Sequence, residues 1–109
     1  MQKFKLNEMT RGWFVGDFEP SVLKSSMAEF GVKHYKKGDY EERHYHKIAT
    51  EITLIIKGRV QMNETIYEAN DIVLINPKED TDFKALEDTI TAVVKIPSVK
   101  NDKFKGVYK

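Results

Sequence analysis

The sequence from residue 38 to residue 58 is GDYEERHYHKIATEITLIIKG, and it contains two of the three histidines of the chain. His44 and His46 are two residues apart, so on a β-strand their imidazoles leave the same face and can converge on one point. Glu51 follows five residues later, an odd number, and on an unbroken strand it would point away from the histidines. A turn or bulge through residues 47–50 is therefore needed, after which a new strand begins with Glu51 facing them.

These three side chains form a candidate metal site. Two neutral imidazoles and one carboxylate on one side of an ion leave coordination positions open, an arrangement suited to Fe(II), Mn(II), Ni(II) or Zn(II). We therefore expect His44, His46 and Glu51 to be ligands of a divalent transition metal. The alternative is that the two histidines line a polar patch of the domain and bind no metal.

The same stretch resembles the first conserved motif of the cupin superfamily, G-x5-H-x-H-x(3 or 4)-E-x6-G, and matches it at every fixed position. Gly38 and Gly58 are then turn residues that need unusual backbone angles. The resemblance extends over residues 30–96. It implies an all-β domain, a cupin-type double-stranded β-helix or jelly-roll barrel, often dimeric and with its site inside near the mouth. It implies no particular reaction, because cupins include dioxygenases, isomerases, epimerases, lyases, sugar-binding modules and storage proteins.

The second cupin motif, G-x5-P-x-G-x2-H-x3-N, is degraded in this chain. Asn70-Asp71 stands where Gly-Asp is common, and Pro77 matches the proline of the motif. Asp82 occupies the position of the histidine that usually completes the metal site. Asp82 could replace that histidine and give a site of two histidines and two carboxylates.

A competing register would turn Asp82 away from the site. If the preceding loop is one residue shorter, Thr81, Phe83 and Ala85 face inward and Asp82 points to solvent. Phe83 is more easily buried than Lys84, which favours this second register.

The rest of the chain predicts short strands separated by Gly and Pro. Runs rich in Val, Ile, Thr, Tyr and Phe indicate nine of them, at residues 13–18, 30–35, 43–46, 51–56, 59–62, 65–68, 72–75, 82–86 and 89–96. The only helical candidate is residues 21–28. This pattern is typical of a sandwich or barrel.

We predict one domain over residues 1–109. Within it, residues 1–29 are an N-terminal strand or cover segment, residues 30–96 the barrel core, and residues 97–109 a C-terminal tail. The tail is locally basic, and we expect it to be frayed and solvated. Lys95 is expected at the rim of the pocket, extending to water.

His34 is the remaining histidine. It shares a strand face with Phe30 and Val32, opposite Lys33 and Tyr35. We expect His34 to face inward, where packing and one hydrogen bond would hold it; a role as pocket acid/base or additional ligand is the alternative.

Charge and composition narrow the class of partner. The chain has 18 basic and 17 acidic residues and a net charge of +1, so no global field favours nucleic acid or a membrane surface. No apolar run approaches the roughly 18 residues of a membrane helix. Cysteine is absent, which fits a reducing, cytoplasmic location.

An apolar row predicts a homodimer. Ile52, Leu54 and Ile56 lie on the strand face opposite Glu51, and the interior of a barrel accommodates only one face of each strand. The other face needs a second layer, which a partner subunit or the N-terminal segment could supply.

Three functions remain open from the sequence. The first is a metal-dependent enzyme acting on a small polar molecule, through an ion held by His44, His46 and Glu51. The second is a metal-free module that binds a small ligand such as a sugar or an organic acid. The third is an isomerase or epimerase resembling the nucleotide-sugar cupins, in which His44 or His46 is a general base with Tyr35 or Tyr45 nearby. We favour the first, although the lost second-motif histidine counts against it.

Overall fold

The computed structural model describes residues 1–109 and is almost entirely β-structure. Two short 3-10 turns, Leu6–Glu8 and Thr10–Gly12, precede the strands. The eleven strands are β1 (Trp13–Gly16), β2 (Leu23–Lys24), β3 (Glu29–Tyr35), β4 (Tyr40–Tyr45), β5 (Thr50–Lys57), β6 (Arg59–Met62), β7 (Thr65–Glu68), β8 (Ile72–Ile75), β9 (Thr81–Ala85), β10 (Thr89–Ile96) and β11 (Phe104–Lys105). All nine predicted strands are present with small shifts at their ends, and β2 and β11 are additional.

The strands form two sheets. One has six strands in the order β2-β1-β3-β10-β5-β8, and the other has five in the order β11-β4-β9-β6-β7. Neighbours in each sheet are antiparallel, except for the parallel pair β1 and β2. Because most neighbours are distant in sequence, the chain crosses repeatedly between the sheets, which is the pattern of a jelly-roll barrel.

The core lies between the two sheets. Its apolar side chains alternate along their strands, as one buried face requires, and they are Ile55, Val60, Met62, Ile75, Phe83 and Ala85. The glycines of the first motif end the strands around this core. Gly58 has φ +99°, and a Cβ there would lie 2.3 Å from the Thr89 hydroxyl oxygen, so no larger residue fits.

Strand β9 adopts the shorter-loop register. Thr81, Phe83 and Ala85 are buried, whereas Lys84 is exposed. Burial of the Phe83 ring between the sheets outweighs any advantage of an inward carboxylate. Asp82 therefore lies on the outer face of β9.

The prediction of a helix at residues 21–28 is wrong. Leu23 and Lys24 instead pair in parallel with Val15 and Gly16. The Val22 N–H donates to the Phe14 carbonyl at 2.7 Å, so this segment satisfies its backbone at the free edge of β1 rather than within a helix. The structure contains no helix long and apolar enough to cross a membrane.

The C-terminal tail is ordered by packing, contrary to the prediction that it frays. Phe104 of β11 pairs with Tyr45, and their rings are stacked with centroids 5.5 Å apart. Asp102 is buried. The tail is therefore part of the five-stranded sheet.

The expectation that His34 faces inward is also wrong. His34 is exposed, and on β3 it is Lys33 and Tyr35 that point between the sheets. The Tyr35 ring packs 4.5 Å from the ring of Phe83, centroid to centroid. Burying the tyrosine ring fixes the orientation of β3 and leaves His34 outside.

Candidate functional site

A pocket of about 130 Å³ lies between the two sheets next to the core, and the core residues Met62 and Phe83 line part of it. It contains all three residues of the predicted first-motif site, His44, His46 and Glu51. The pocket opens towards a larger surface groove of about 1270 Å³, and the two share six residues, which are Arg11, Lys33, Tyr35, Glu41, His44 and Lys103. The structure thus brings together the side chains that the sequence placed on one face.

The two imidazoles are close and have free nitrogen atoms. Their ring centroids are 5.6 Å apart, at an interplanar angle of 87°. The Nδ1 atom of His44 lies 3.0 Å from the carbonyl oxygen of Glu42. A carbonyl only accepts hydrogen bonds, so Nδ1 carries the proton and Nε2 keeps its lone pair in the neutral ring. The Nε2 atom of His46 is buried and has no hydrogen-bond partner.

His46 is held neutral by its surroundings. It is only 6% exposed, and burial, followed by the positive charge of Lys95, lowers its pKa from 6.5 to about 4. A neutral imidazole is the form that binds a metal ion. A buried nitrogen without a partner is also uncommon in folded proteins and needs an explanation, such as an absent ion or ligand.

The predicted turn between the histidines and Glu51 is present and depends on the tail. Asp102 accepts backbone N–H groups from Lys47 at 2.9 Å, Ile48 at 3.2 Å and Ala49 at 2.9 Å. Burial alone would raise the pKa of Asp102, but these donors outweigh it and the pKa lies below its usual value. Asp102 therefore positions the turn that carries the chain from His46 to Glu51.

Glu51 faces the pocket at the start of β5, as predicted. Its Oε2 accepts a long hydrogen bond of 3.3 Å from the Thr53 hydroxyl. Burial raises the pKa of Glu51, and the nearby Lys95 opposes part of that rise. The carboxylate can therefore supply a metal ligand or hold a proton within the pocket.

The donor chemistry fits a divalent transition metal, but the donors do not converge in this structure. Two unprotonated imidazole nitrogens and a buried carboxylate are suitable ligands. However, no group of three or more His, Asp or Glu side chains lies close enough together to hold an ion as it stands. Binding would need side-chain rotation.

Asp82 lies outside the pocket. Its Oδ1 accepts the backbone N–H of Asn63 at 2.8 Å, and its Oδ2 lies 3.8 Å from Nη2 of Arg43. These contacts follow from the register of β9, in which alternate residues starting from Thr81 face inward. The structure gives Asp82 a role in holding the β6–β7 turn and does not bring it to the histidines.

Sequence reasoning missed several residues of the pocket. They include Glu41, which accepts the Tyr35 hydroxyl at 2.7 Å, and the side chains of Arg11, Trp13, Lys33 and Lys103. Lys95 was expected to extend to water, but it turns inward and lies 3.5 Å from Glu29. The available signal was strand alternation, since Lys33 shares its face with the buried Tyr35 ring.

Comparison with solved structures identifies the fold. A conserved protein with a double-stranded β-helix domain from Klebsiella pneumoniae has a TM-score of 0.72 at 19% identity, covering 99% of this chain and 93% of that one. A cupin-2 domain protein from Shewanella frigidimarina has a TM-score of 0.56 at 14% identity, covering 63% and 70%. The chain has a cupin fold. The DMSP lyase DddQ from Ruegeria pomeroyi also has a TM-score of 0.72, at 16% identity, and this chain covers 51% of it.

The predicted cupin resemblance is therefore confirmed at the level of fold. The sequence itself matches no family model and no curated protein. At identities below 20%, cupin neighbours share architecture, whereas the chemistry of a cupin pocket depends on its own side chains.

Proposed function

We propose that this cupin is a metal-dependent enzyme acting on a small polar molecule, with His44, His46 and Glu51 as ligands of a divalent transition metal. The supporting observation is the buried Nε2 of His46, which has no partner in the protein. The His44 ring lies beside it with its Nδ1 held by a backbone carbonyl, so a second nitrogen is available. DddQ, which has the same fold, is a lyase.

A bound ion would act as a Lewis acid and polarise an oxygen atom of the substrate. The chain's own groups would do the rest. The Tyr35–Glu41 pair joins β3 and β4, one from each sheet, and lines the pocket, where it can hydrogen-bond a bound molecule. Burial followed by the Glu41 charge raises the pKa of Tyr35, so the tyrosine keeps its proton and acts as a donor.

The alternative is a metal-free module that binds a small ligand. Two observations favour it. The three donors do not converge, and the positive charge of Lys95, which is close enough to lower the pKa of His46, would repel a metal cation. The inner pocket of about 130 Å³ is small against the roughly 300–1,000 Å³ of ordinary ligand sites. A nucleotide sugar would therefore extend into the outer groove, which makes the nucleotide-sugar isomerase or epimerase the weaker alternative.

The test is elemental analysis of protein purified without a metal-affinity tag or chelators, before and after reconstitution with Fe, Mn, Ni or Zn. We expect close to one ion per chain in the native protein and in the His34→Ala variant, whose histidine lies outside the pocket. His44→Ala and His46→Ala should each abolish binding. Absence of metal after reconstitution, or equal loss in all three variants, would favour the metal-free module.

We also propose that the protein is a homodimer and that a second copy covers the outer face of the six-stranded sheet. Two rows of paired residues run across β3, β10, β5 and β8 without a charge, and they are Phe30–Val94–Ile52–Leu74 and Val32–Ala92–Leu54–Ile72. Leu74 is 57% exposed and Ile72 67% exposed in the single chain. In the N-terminal segment, β1 and β2 extend the edge of this sheet, and Phe30, Ile72 and Leu74 of the rows stay exposed.

The size of this face suits a symmetric pair. Val15 of β1 pairs with Phe30 and extends the first row to a fifth strand. Five strands about 4.8 Å apart and about 20 Å long present roughly 500 Å² per subunit. Two such faces together reach the roughly 1,000 Å² that a specific interface needs. A twofold axis would place the same uncharged rows against each other.

We also propose a cytoplasmic location, which the absence of cysteine supports.

A further inference from the structure

The pocket contains more positive than negative side chains. Glu41 and Glu51 are its two carboxylates, and its four basic residues are Arg11, Lys33, Lys95 and Lys103. Only Lys95 has an ion-pair partner, Glu29. The other three basic residues have no carboxylate oxygen within 4.0 Å. Three unpaired cations around one small pocket attract an anion.

Two of the four basic residues, Lys33 and Lys95, contact the same aromatic ring. The Nζ atoms of Lys33 and Lys95 lie 5.1 Å and 5.0 Å from the ring centroid of Trp13, within the range of a cation–π contact. Gly31 makes this arrangement possible, because a Cβ there would lie 2.7 Å from Cε3 of the indole. The indole therefore lies over β3, with the Nζ atoms of both lysines close to its ring.

The electrostatics of Lys33 reflect this crowding. Its side chain is half-buried, and burial is the largest factor that lowers its pKa. Glu41 opposes that effect, and the charges of Arg11, Lys103 and Lys95 add to it. Lys33 is thus a partly desolvated cation with other positive charges near it. A bound anion would offset the cost of the desolvation and the repulsion between these charges.

We propose that the pocket binds a compact organic dianion, a small dicarboxylate or phosphate ester, between Lys33 and Lys95. Arg11, from the turn before β1, and Lys103, from the segment before β11, lie at the mouth and would close over it. A volume of about 130 Å³ corresponds to about four waters at roughly 30 Å³ each, which suits a three-carbon diacid. This inference rests on the proposed function only in taking the pocket as the ligand site, and it needs no metal.

The experiment uses Trp13, the only tryptophan of the chain, as the reporter. Protein freed of metal with EDTA and then dialysed is titrated at low ionic strength with malonate, inorganic phosphate, and malonamide as the neutral analogue of malonate. We expect a saturable change in Trp13 emission with malonate or phosphate at a Kd of about 0.1–1 mM. Malonamide should leave the emission unchanged.

Matched variants assign the effect to the pocket. Lys33→Met and Lys95→Met replace lysine by an unbranched side chain only one atom shorter and remove its charge, and each should raise the Kd about tenfold or more. Lys84→Met, on the exposed face of β9, should leave the Kd unchanged. Without ligand, Lys33→Met should raise the Tm because it removes repulsion, whereas loss of a purely structural contact would lower it.

Three results would overturn the proposal: no response to either dianion up to about 10 mM, an equal response to malonamide, or an unchanged Kd in both pocket variants. Because the protein is metal-free throughout, these results are independent of the metal analysis. A chain that binds malonate but no metal supports the anion site and removes the metal-dependent enzyme. A chain that binds metal but neither dianion supports the metal site and removes the proposed anion site.

Discussion

The two faces of the six-stranded sheet have opposite chemistry. Near the barrel mouth the inner face carries Lys33, Glu51 and Lys95, together with the buried hydroxyls of Thr53 and Thr91. The outer face carries uncharged rows of Phe, Val, Ile, Leu and Ala, several of them exposed in the single chain. A monomeric domain normally buries its apolar face and exposes its charged one.

This reversal indicates what each face contacts. Burying charge costs free energy unless the charge is paired, so an inner face with an unpaired lysine, Lys33, indicates a polar ligand. Leaving large apolar side chains in water forgoes burial worth about 1.5–3 kcal/mol each. The outer face therefore indicates a protein partner. Each of the following variants tests what this comparison says of one of the two faces.

The largest expected effect is on the outer face. Leu74→Lys places a charge in the proposed interface, at the β8 end of one apolar row, and, because a symmetric dimer contains the residue twice, should weaken association by about 3–6 kcal/mol. Sedimentation equilibrium at micromolar concentration should then give the 12.7 kDa of one chain instead of twice that mass.

Ile66→Lys is the matched control, because Ile66 is 51% exposed on the other sheet. That variant should remain a dimer. If the unmodified chain already sediments as a monomer, the homodimer proposal is wrong.

The next effect concerns the turn between His46 and Glu51, which Asp102 holds. Asp102→Ala removes the acceptor of three backbone N–H groups and should lower the free energy of unfolding by about 3–5 kcal/mol. Asp88→Ala is the comparison, since Asp88 accepts one backbone N–H at an exposed position, from Lys37 at 2.9 Å, and should cost about 1 kcal/mol. Urea unfolding curves measure both. Equal losses would mean that Asp102 does not hold this turn.

The third effect is a pH dependence of stability set by His46. Its pKa is about 4 in the folded chain against 6.5 in the unfolded one. Between pH 6.5 and pH 4, His46 is therefore protonated in the unfolded state and neutral in the folded state. The free energy of unfolding should therefore fall as the pH drops from 6.5 to 4, by up to about 3 kcal/mol.

Glu51 acts in the opposite direction. Burial raises its pKa, so as the pH falls the folded state takes up that proton before the unfolded state does. His46→Gln removes the first effect and keeps the second, and its stability should fall much less on acidification. His34→Gln should behave like the unmodified chain. Parallel curves for all three proteins would contradict a buried, neutral His46.

Local sequence patterns were sufficient to predict the strands and the first-motif site. Runs of β-branched and aromatic residues between turn residues locate strands wherever the sheets lie, and an i, i+2 histidine pair shares a face on any strand. The resemblance carried by Gly38, His44, His46, Glu51 and Gly58 added the barrel itself. These features depend on spacing along one segment.

Which face of a strand points inward could not be predicted in the same way. On β3 the apolar Phe30 and Val32 suggested an inner face, yet they lie outside and Lys33 lies inside. When the outer face packs against a partner and the inner face binds a polar ligand, the hydrophobic pattern reverses. His34 was misplaced because it shares its face of β3 with these apolar residues, and that face points outward.

The contacts of the two chain ends could not be predicted from the sequence either. The three N–H donors of Asp102 lie more than fifty residues earlier in the chain, and Arg11 and Lys103 reach the pocket from opposite ends of the sequence. A basic, Gly-containing tail has the composition of a frayed terminus. Only the paired strand β11 and the stacking of Phe104 on Tyr45 show its structural role.

The most direct test of the account follows all three histidines at once during a Zn²⁺ titration, by long-range ¹H–¹⁵N correlation spectra of the imidazoles. We expect the Nε2 resonances of His44 and His46 to shift together and saturate near one equivalent, because Nδ1 of His44 is held by the Glu42 carbonyl and Nε2 of His46 has no partner. His34, on the outer face, should not move. Shifts of His34 comparable to the other two, or none at His44 and His46, would contradict a metal site on the inner face.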